Sequence, residues 1–507
     1  MADTQLLRKF VKKFNDEHIE YYKNRISDAE AADWLAENIP LLDCDDPDVL
    51  ETYYFRFWTF RKHIKDTPEG AVITEFLPPV SWSGPYNTIS CSTAHHVSEA
   101  RWLRDDSILE SYIRFFLDEA RDETNTSYSS SFLWNVFLYC RFSGKMELAK
   151  ELLPKMIHQY LYWEEQKLTK YGLFWSNDDR DGMEYSISGP GLRPTLNTYM
   201  YGAALGIAAL CKLFGDEHAD WFRARAEELR ANIRRYLWDE KACFFKTVPM
   251  PTKESEPDFE RADPDHNVSE QIGFVPFLIP ALTGESDERI FTALMDKTKF
   301  LAPYGITTAD MTHPRFMKNP VHHECLWDGP VWPFSTSQTL TALYTLLGRK
   351  DSAYIGKADY MTLLRQYSAS QKLYKDGRVI NWIDENLEPF SGQWISRDLI
   401  YLDHAYQFPT ERGAEYNHST FCDLVLSGAC GILPDTDPET GKRTLTVKPL
   451  SAGTWKYFAV ENLAVGGMTF DLYYDEDGTK YGRGAGLTLI RDGEVIAEGK
   501  DSLTCVL

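Results

Sequence analysis

The carboxylates that stand out lie in two loops far apart in the chain. One runs from Gly172 to Gly189 and carries Asp178, Asp179, Asp181 and Glu184 beside Trp175 and Tyr185. The other runs from Glu411 to Thr420 and carries Glu415, Tyr416 and Asn417 ahead of a predicted helix. A run of acids is usually a solvated face. Glu415 taken alone reads as a helix-dipole partner, with Ser419 or Thr420 as the N-cap. The aromatic neighbours point to a different use. Flat rings stack on the apolar faces of sugars, and an apolar surround raises the pKa of a carboxyl group. A protonated and an ionised carboxyl group held together can do general acid–base work.

Two further loops have the composition of pocket walls. Phe76–Asn87 packs Pro78, Pro79 and Pro85 around Trp82, Tyr86 and Asn87, which excludes a helix. Cys325–Pro333 places Trp327 and Trp332 on either side of Asp328-Gly329-Pro330. Packing at a helix entry accounts for such a pair as readily as ligand stacking does. Other patterns fail on specificity. His322-His323-Glu324 lacks metal-ligand spacing, and His95-His96 reads as a loop or helix-start pair. No GxGxxG, Walker A or GxSxG pattern occurs, so nucleotide-binding and α/β-hydrolase readings fall away. No metal and no cofactor is expected.

The elements that must position these loops are mostly helices. Apolar residues recur at i, i+3 and i+4 from residue 4 to about 430, beginning with Leu6, Phe10 and Phe14. Helices are predicted at 108–120, 132–142, 149–163, 196–214, 219–237, 271–282, 288–295, 335–347, 354–371 and 419–429. That many stripes are buried most simply in a toroid of paired helices. After residue 432 the period becomes that of strands. Thr444–Val447, Phe470–Tyr473 and Leu487–Ile490 are separated by turn signals at Asp477-Gly478 and Asp492-Gly493, with Gly441 in a further hairpin. The expected organisation is a helical domain over 1–431 and a small antiparallel β module over 432–507.

The bulk composition narrows the partners. The chain has 507 residues and a net charge of −22, so it lacks the basic footprint of a nucleic-acid binder. Aromatics make up 14% of it. There is no apolar stretch long enough for a membrane span and no basic-then-apolar leader. The nine cysteines are scattered, odd in number and free of CxxC spacing, which suits reduced thiols. The expected location is the cytoplasm, and the sequons at Asn125, Asn267 and Asn417 then carry no meaning.

Trp327-Asp328-Gly329-Pro330-Val331-Trp332 resembles the W-x-G-P-x-W loop of glycoside hydrolase family 63 and its relatives, including trehalases. Glu415-Tyr416-Asn417 with Thr420 is similar to that family's E-x-Y-N-x-x-T segment, with the residue between Glu and Tyr missing. The likeness spans roughly residues 70–450 and is greatest to the mannosylglycerate-hydrolase-like branch. It implies an (α/α)6 barrel and an inverting mechanism, with Glu415 as general base. It also implies a general acid in the Asp179–Glu184 loop, placed at Asp181, with Asp179 and Glu184 as rivals because Arg180 stands where the family has Trp.

The expectation is therefore an inverting, exo-acting α-glycosidase on a short oligosaccharide or small glycoside, without nucleic-acid or membrane partners. Trp82, Tyr86, Asn87, Trp175, Glu184, Tyr185, Trp327, Asp328, Gly329, Trp332 and Tyr416 are its expected substrate contacts. A sugar phosphorylase or epimerase on the same toroid, or a carbohydrate-binding protein without catalysis, are the alternatives.

Overall fold

The computed structural model describes residues 4–118, 121, 125–402 and 412–507. Helices dominate up to residue 430 and small antiparallel sheets follow. The first helix, Thr4–Glu17, buries Leu7, Val11 and Phe14. Its stripe is turned from the expected one, and Leu6 and Phe10 pack at its margin. Spacings of four and then three follow the 3.6-residue turn more closely than two steps of four.

Six segments succeed one another in contact: Thr93–Ala100, Phe132–Ser143, Pro194–Phe214, the 3-10 stretch Gln271–Leu278, Pro333–Leu347 and the π-helix Leu424–Ala429. The last returns to the first through side chains. Glu99 accepts from the backbone N–H of Cys422 at 3.0 Å and of Asp423 at 2.9 Å. Arg101 and Trp102 in turn donate to Asp423 at 2.5 and 2.8 Å. The cap expected from Ser419 or Thr420 is thus supplied by a carboxylate on a neighbouring helix. Around this inner succession lie Ser107–Phe116, Met146–Lys167, Ala219–Asn232, Phe291–Leu294, Lys357–Ser370 and Pro47–Phe60.

Local chemistry explains most boundaries. Pro194 and Pro333 open their helices at a position whose N–H would go unpaired anyway, and Gly215 ends one in the left-handed region at φ 70°. The segment 271–278 is a 3-10 stretch where an α-helix to residue 282 is expected. Pro276 and Pro280 remove the donors an α-helix would need. The helices Ala31–Asn38, Pro47–Phe60, Thr93–Ala100 and Ile395–Leu402 lie outside the expected set. Pro47–Phe60 is buried on nearly all sides, so it has no polar face to give a period. Asp46 caps it by accepting from the Val49 N–H. The helix expected at 108–120 runs over Ser107–Phe116, and residues 119 and 120 lie outside the described residues.

The C-terminal strands form two sheets, one of three strands and one of five. The turns at Gly441 and Asp492-Gly493 lie at hairpins as expected. The five-stranded sheet takes its edge strand from Leu41–Cys44, paired antiparallel with Tyr457–Val465 (Leu41 opposite Glu461). That strand crosses the expected division at 431/432 and ties the sheet to the helices. Among the described residues, no helix is long and apolar enough to cross a membrane.

Candidate active site

A cavity of about 340 Å³ opens where the inner helices begin. Its walls come from the loops that enter them. Glu75, Phe76 and Trp82 precede Thr93–Ala100; Asp179 and Glu184 precede Pro194–Phe214; Glu324 and Trp332 precede Pro333–Leu347; Arg412, Tyr416 and His418 precede Leu424–Ala429. Glu385 completes it ahead of Ile395–Leu402. Helix N-termini present unpaired N–H groups and partial positive charge, so this end of the structure suits oxygen-rich ligands and carboxylates.

The cavity holds an unusual set of acids around one cation. Arg412 pairs with Glu385 at 2.8 Å and with Glu324 at 3.3 Å, and its guanidinium lies over the rings of Trp82 and Phe76. Glu184 accepts from the Cys325 thiol at 2.9 Å. Burial pushes its carboxyl up to about 8, and the nearby charges of Asp179 and Glu385 act in the same direction. Glu75 is also raised to about 8 by burial, although the Tyr416 hydroxyl donates to it at 2.8 Å. Burial raises Glu385 to about 7 against the opposing pull of Arg412. At neutral pH the site therefore holds protonated and ionised carboxyl groups together, which general acid–base work requires.

Aromatic surfaces complete the cavity. Trp332 lines it and stacks on the buried Trp327 at 4.3 Å between centroids. His418 is kept neutral by burial and packs against Tyr416 and Phe334. Neither of its ring nitrogens has a partner among the described residues. Such orphan groups in a cavity floor suit the hydroxyls of a bound ligand. Gly413 holds the Arg412 turn against Asp384: a Cβ there would lie 1.9 Å from Asp384 Oδ1. Gly413→Ala is expected to destabilise by about 1–3 kcal/mol through overpacking. It should also raise KM, because Arg412 and Glu385 flank that contact. Urea denaturation and steady-state kinetics read the two effects.

The residues expected to act chemically are not brought together. Asp181 is 1% exposed and outside the cavity walls. It receives Arg193 Nε at 2.5 Å, the Ser129 hydroxyl at 2.5 Å and the Thr195 hydroxyl. With its lone pairs committed, it anchors the loop to the start of helix Pro194–Phe214. Glu415 faces a separate, smaller cavity, and Lys62 donates to it at 2.8 Å. Glu415 lies in a turn with a left-handed backbone at φ 64°, and it faces the smaller cavity while the next residue, Tyr416, lines the large one. Glu411, in the same loop, lies outside the described residues.

Of the expected substrate contacts, Trp82, Glu184, Trp332 and Tyr416 line the cavity. Tyr185 sits beside its mouth, with its ring against His323. Asn87 shapes the loop instead, donating to the carbonyls of Phe76 and Pro78. Asp328 accepts from the Asn319 N–H. Gly329 lets Phe316 and Met317 approach where a Cβ would stand. Tyr86 packs on Phe115, and Trp175 donates to the Met250 carbonyl. Glu75, Glu324, Glu385, Arg412 and His418 are site residues that reading the sequence missed. Glu385 does share a signal with the others: it follows Trp382 in an acidic stretch, Trp382-Ile383-Asp384-Glu385.

A carboxylate-rich, aromatic-walled cavity lies at the helix-entry end of a mainly helical fold. The chain belongs to the mannosylglycerate hydrolase MGH1-like glycoside hydrolase domain family, whose model matches residues 85–419. No curated protein sequence gives a significant match. A solved structure titled "Sialidase" is 32% identical with a TM-score of 0.88; the match covers 100% of this chain and 45% of that one. This chain therefore spans less than half the length of that relative. The GH78 family rhamnosidase of Bacillus sp. GL1 has a TM-score of 0.56 at 14% identity, covering 89% of this chain and 41% of that one. The GH63 mannosylglycerate hydrolase from Thermus thermophilus, in complex with glucose, has a TM-score of 0.50 at 12% identity, covering 69% of this chain and 100% of that one. At those identities the last two show likeness of fold alone.

Proposed function

We propose that the chain is an inverting, exo-acting glycosidase on a small neutral glycoside or short oligosaccharide, with Glu184 as general acid and Glu385 as general base. Residues 1–431 are read as an (α/α)6 toroid, with 432–507 as an appended β module that borrows the strand Leu41–Cys44. The observation that carries the assignment is the cavity itself. Glu184 and Glu385 both face it, with carboxyl groups raised to about 8 and about 7. Protonated Glu184 gives its proton to the leaving oxygen. Glu385, held against Arg412, takes a proton from the water that attacks the anomeric carbon. Asp181 and Glu415 are given no part in proton transfer.

Charge supports a neutral substrate. With Glu75 and Glu184 held protonated by burial, three acids remain in the cavity walls beside one basic side chain, Arg412, which two of them already engage. An anionic sugar would meet repulsion there, and a phosphate nucleophile would meet the same. Proton NMR of hydrolysis on a panel of neutral aryl glycosides and aryl sialosides tests this. Turnover of a neutral glycoside with release of the inverted anomer is expected, and a retained anomer or a preference for the sialoside sinks the reading.

The same pair sets the pH dependence. Activity requires Glu385 ionised, so it rises as pH climbs through about 7. It also requires Glu184 protonated, so it falls as pH passes about 8. A narrow bell in kcat/KM between those limits is expected. Glu184→Gln should remove the alkaline limb from its residual activity, and an unchanged limb would assign that ionisation elsewhere.

A further inference from the structure

A second cavity, of about 200 Å³, lies on the other side of the segments that carry Phe76 and Arg412–Tyr416, and the proposed reaction does not use it. Glu17, His18 and Glu415 face it, with Trp382 and Tyr21 in its walls. The Glu415 and His18 side chains are 5% and 4% exposed. Each of the three polar side chains keeps one buried atom without a partner among the described residues: Glu17 Oε2, His18 Nε2 and Glu415 Oε2. Buried polar atoms are normally satisfied, so three orphans around one cavity mark a place for a ligand.

The remaining atoms decide its chemistry. Glu415 Oε1 accepts from Lys62 Nζ at 2.8 Å and lies 3.4 Å from His18 Nδ1. Burial lowers the His18 pKa and favours the neutral ring. Glu17 Oε2 and Glu415 Oε2 are carboxylate oxygens, which accept from a donor. Of the cations in the walls, Lys62 is held by Glu415 and lies 3.7 Å over the Trp58 ring, and Lys375 lies 5.5 Å from the centroid of Trp382. Glu415 is fixed in this direction by a left-handed backbone at φ 64° and by His63, whose Nε2 donates to its carbonyl at 2.7 Å. Acidic side chains outnumber basic ones in the walls by five to three.

We propose that this cavity binds a small primary ammonium compound of amino-sugar size, whose N–H donors meet Glu17 and Glu415. An ammonium has three donors and no acceptor, which suits the orphan carboxylate oxygens of Glu17 and Glu415. A hydroxyl has one donor and brings lone pairs toward the carboxylates. The inference rests on the proposed function in one respect: Glu415 is free of a catalytic role.

Isothermal titration of the full chain with glucosamine tests it, with glucose, N-acetylglucosamine and tetramethylammonium as probes lacking the ammonium N–H donors. Glucosamine alone should bind. Glu17→Gln and Glu415→Gln should each weaken it at least tenfold, while Glu184→Gln leaves it unchanged. Failure of glucosamine to bind, equal binding of the control probes, or full binding by Glu17→Gln overturns the site. Kinetics of Glu415→Gln without amine separate the two ideas. Near-normal kcat with lost glucosamine binding supports both, whereas a thousandfold fall in kcat makes Glu415 catalytic and overturns both.

Discussion

Glu184→Gln should lower kcat by about 10²–10⁴-fold, the range spanned by loss of a positioned acid or base. The replacement keeps the volume and still meets the Cys325 thiol, but it has no acidic proton for the leaving oxygen. The loss should depend on the leaving group. A glycoside whose aglycone departs without protonation, such as a dinitrophenyl glycoside, should be hydrolysed at near the wild-type rate. One with an alkyl aglycone should suffer the whole loss. A loss equal for both substrates would remove Glu184 as the acid, and wild-type turnover of the alkyl glycoside would do the same.

Asp181→Asn should act on stability. Arg193 and Asp181 both have side chains with no solvent exposure, and they meet at 2.5 Å. Removing one charge of a buried pair leaves the other uncompensated, which costs about 3–5 kcal/mol. For a domain with marginal stability that is a large fraction of the total. The loop that carries Glu184 is anchored through this pair, so the folded fraction should keep a measurable kcat with a raised KM. Chemical denaturation and kinetics on the folded fraction check this together. A variant as stable as the parent but without turnover would return the acid role to Asp181.

The contrast between these two acids measures how far sequence reading reaches. Asp179, Asp181 and Glu184 share one loop and one composition, and nothing in their order ranks them. The ranking comes from what surrounds each carboxyl group: Arg193 and Thr195 about Asp181, Cys325 and Glu385 about Glu184. Cys325 and Glu385 arrive from other loops, and Arg193 and Thr195 stand at the start of the helix that this loop enters. The helix-rich class, the strand-rich C-terminus and the enzyme family were legible because periodicity, turn residues and the Trp327–Trp332 motif are local in the chain. The edge strand Leu41–Cys44 was hidden because its pairing partner lies at Tyr457–Val465.

By itself the sequence determined which loops meet: the acidic loop, the double-tryptophan loop and the Tyr416 loop all reach one cavity. Only the tertiary structure decided which carboxylates in them face it. Glu415 faces a second cavity although its neighbour Tyr416 lines the first, a division set by the local turn and not visible in the order of residues. The set formed by Glu75, Glu184, Glu324, Glu385 and Arg412 exists only where the helix-entry loops converge, because electrostatic coupling depends on distance in space and not on distance along the chain.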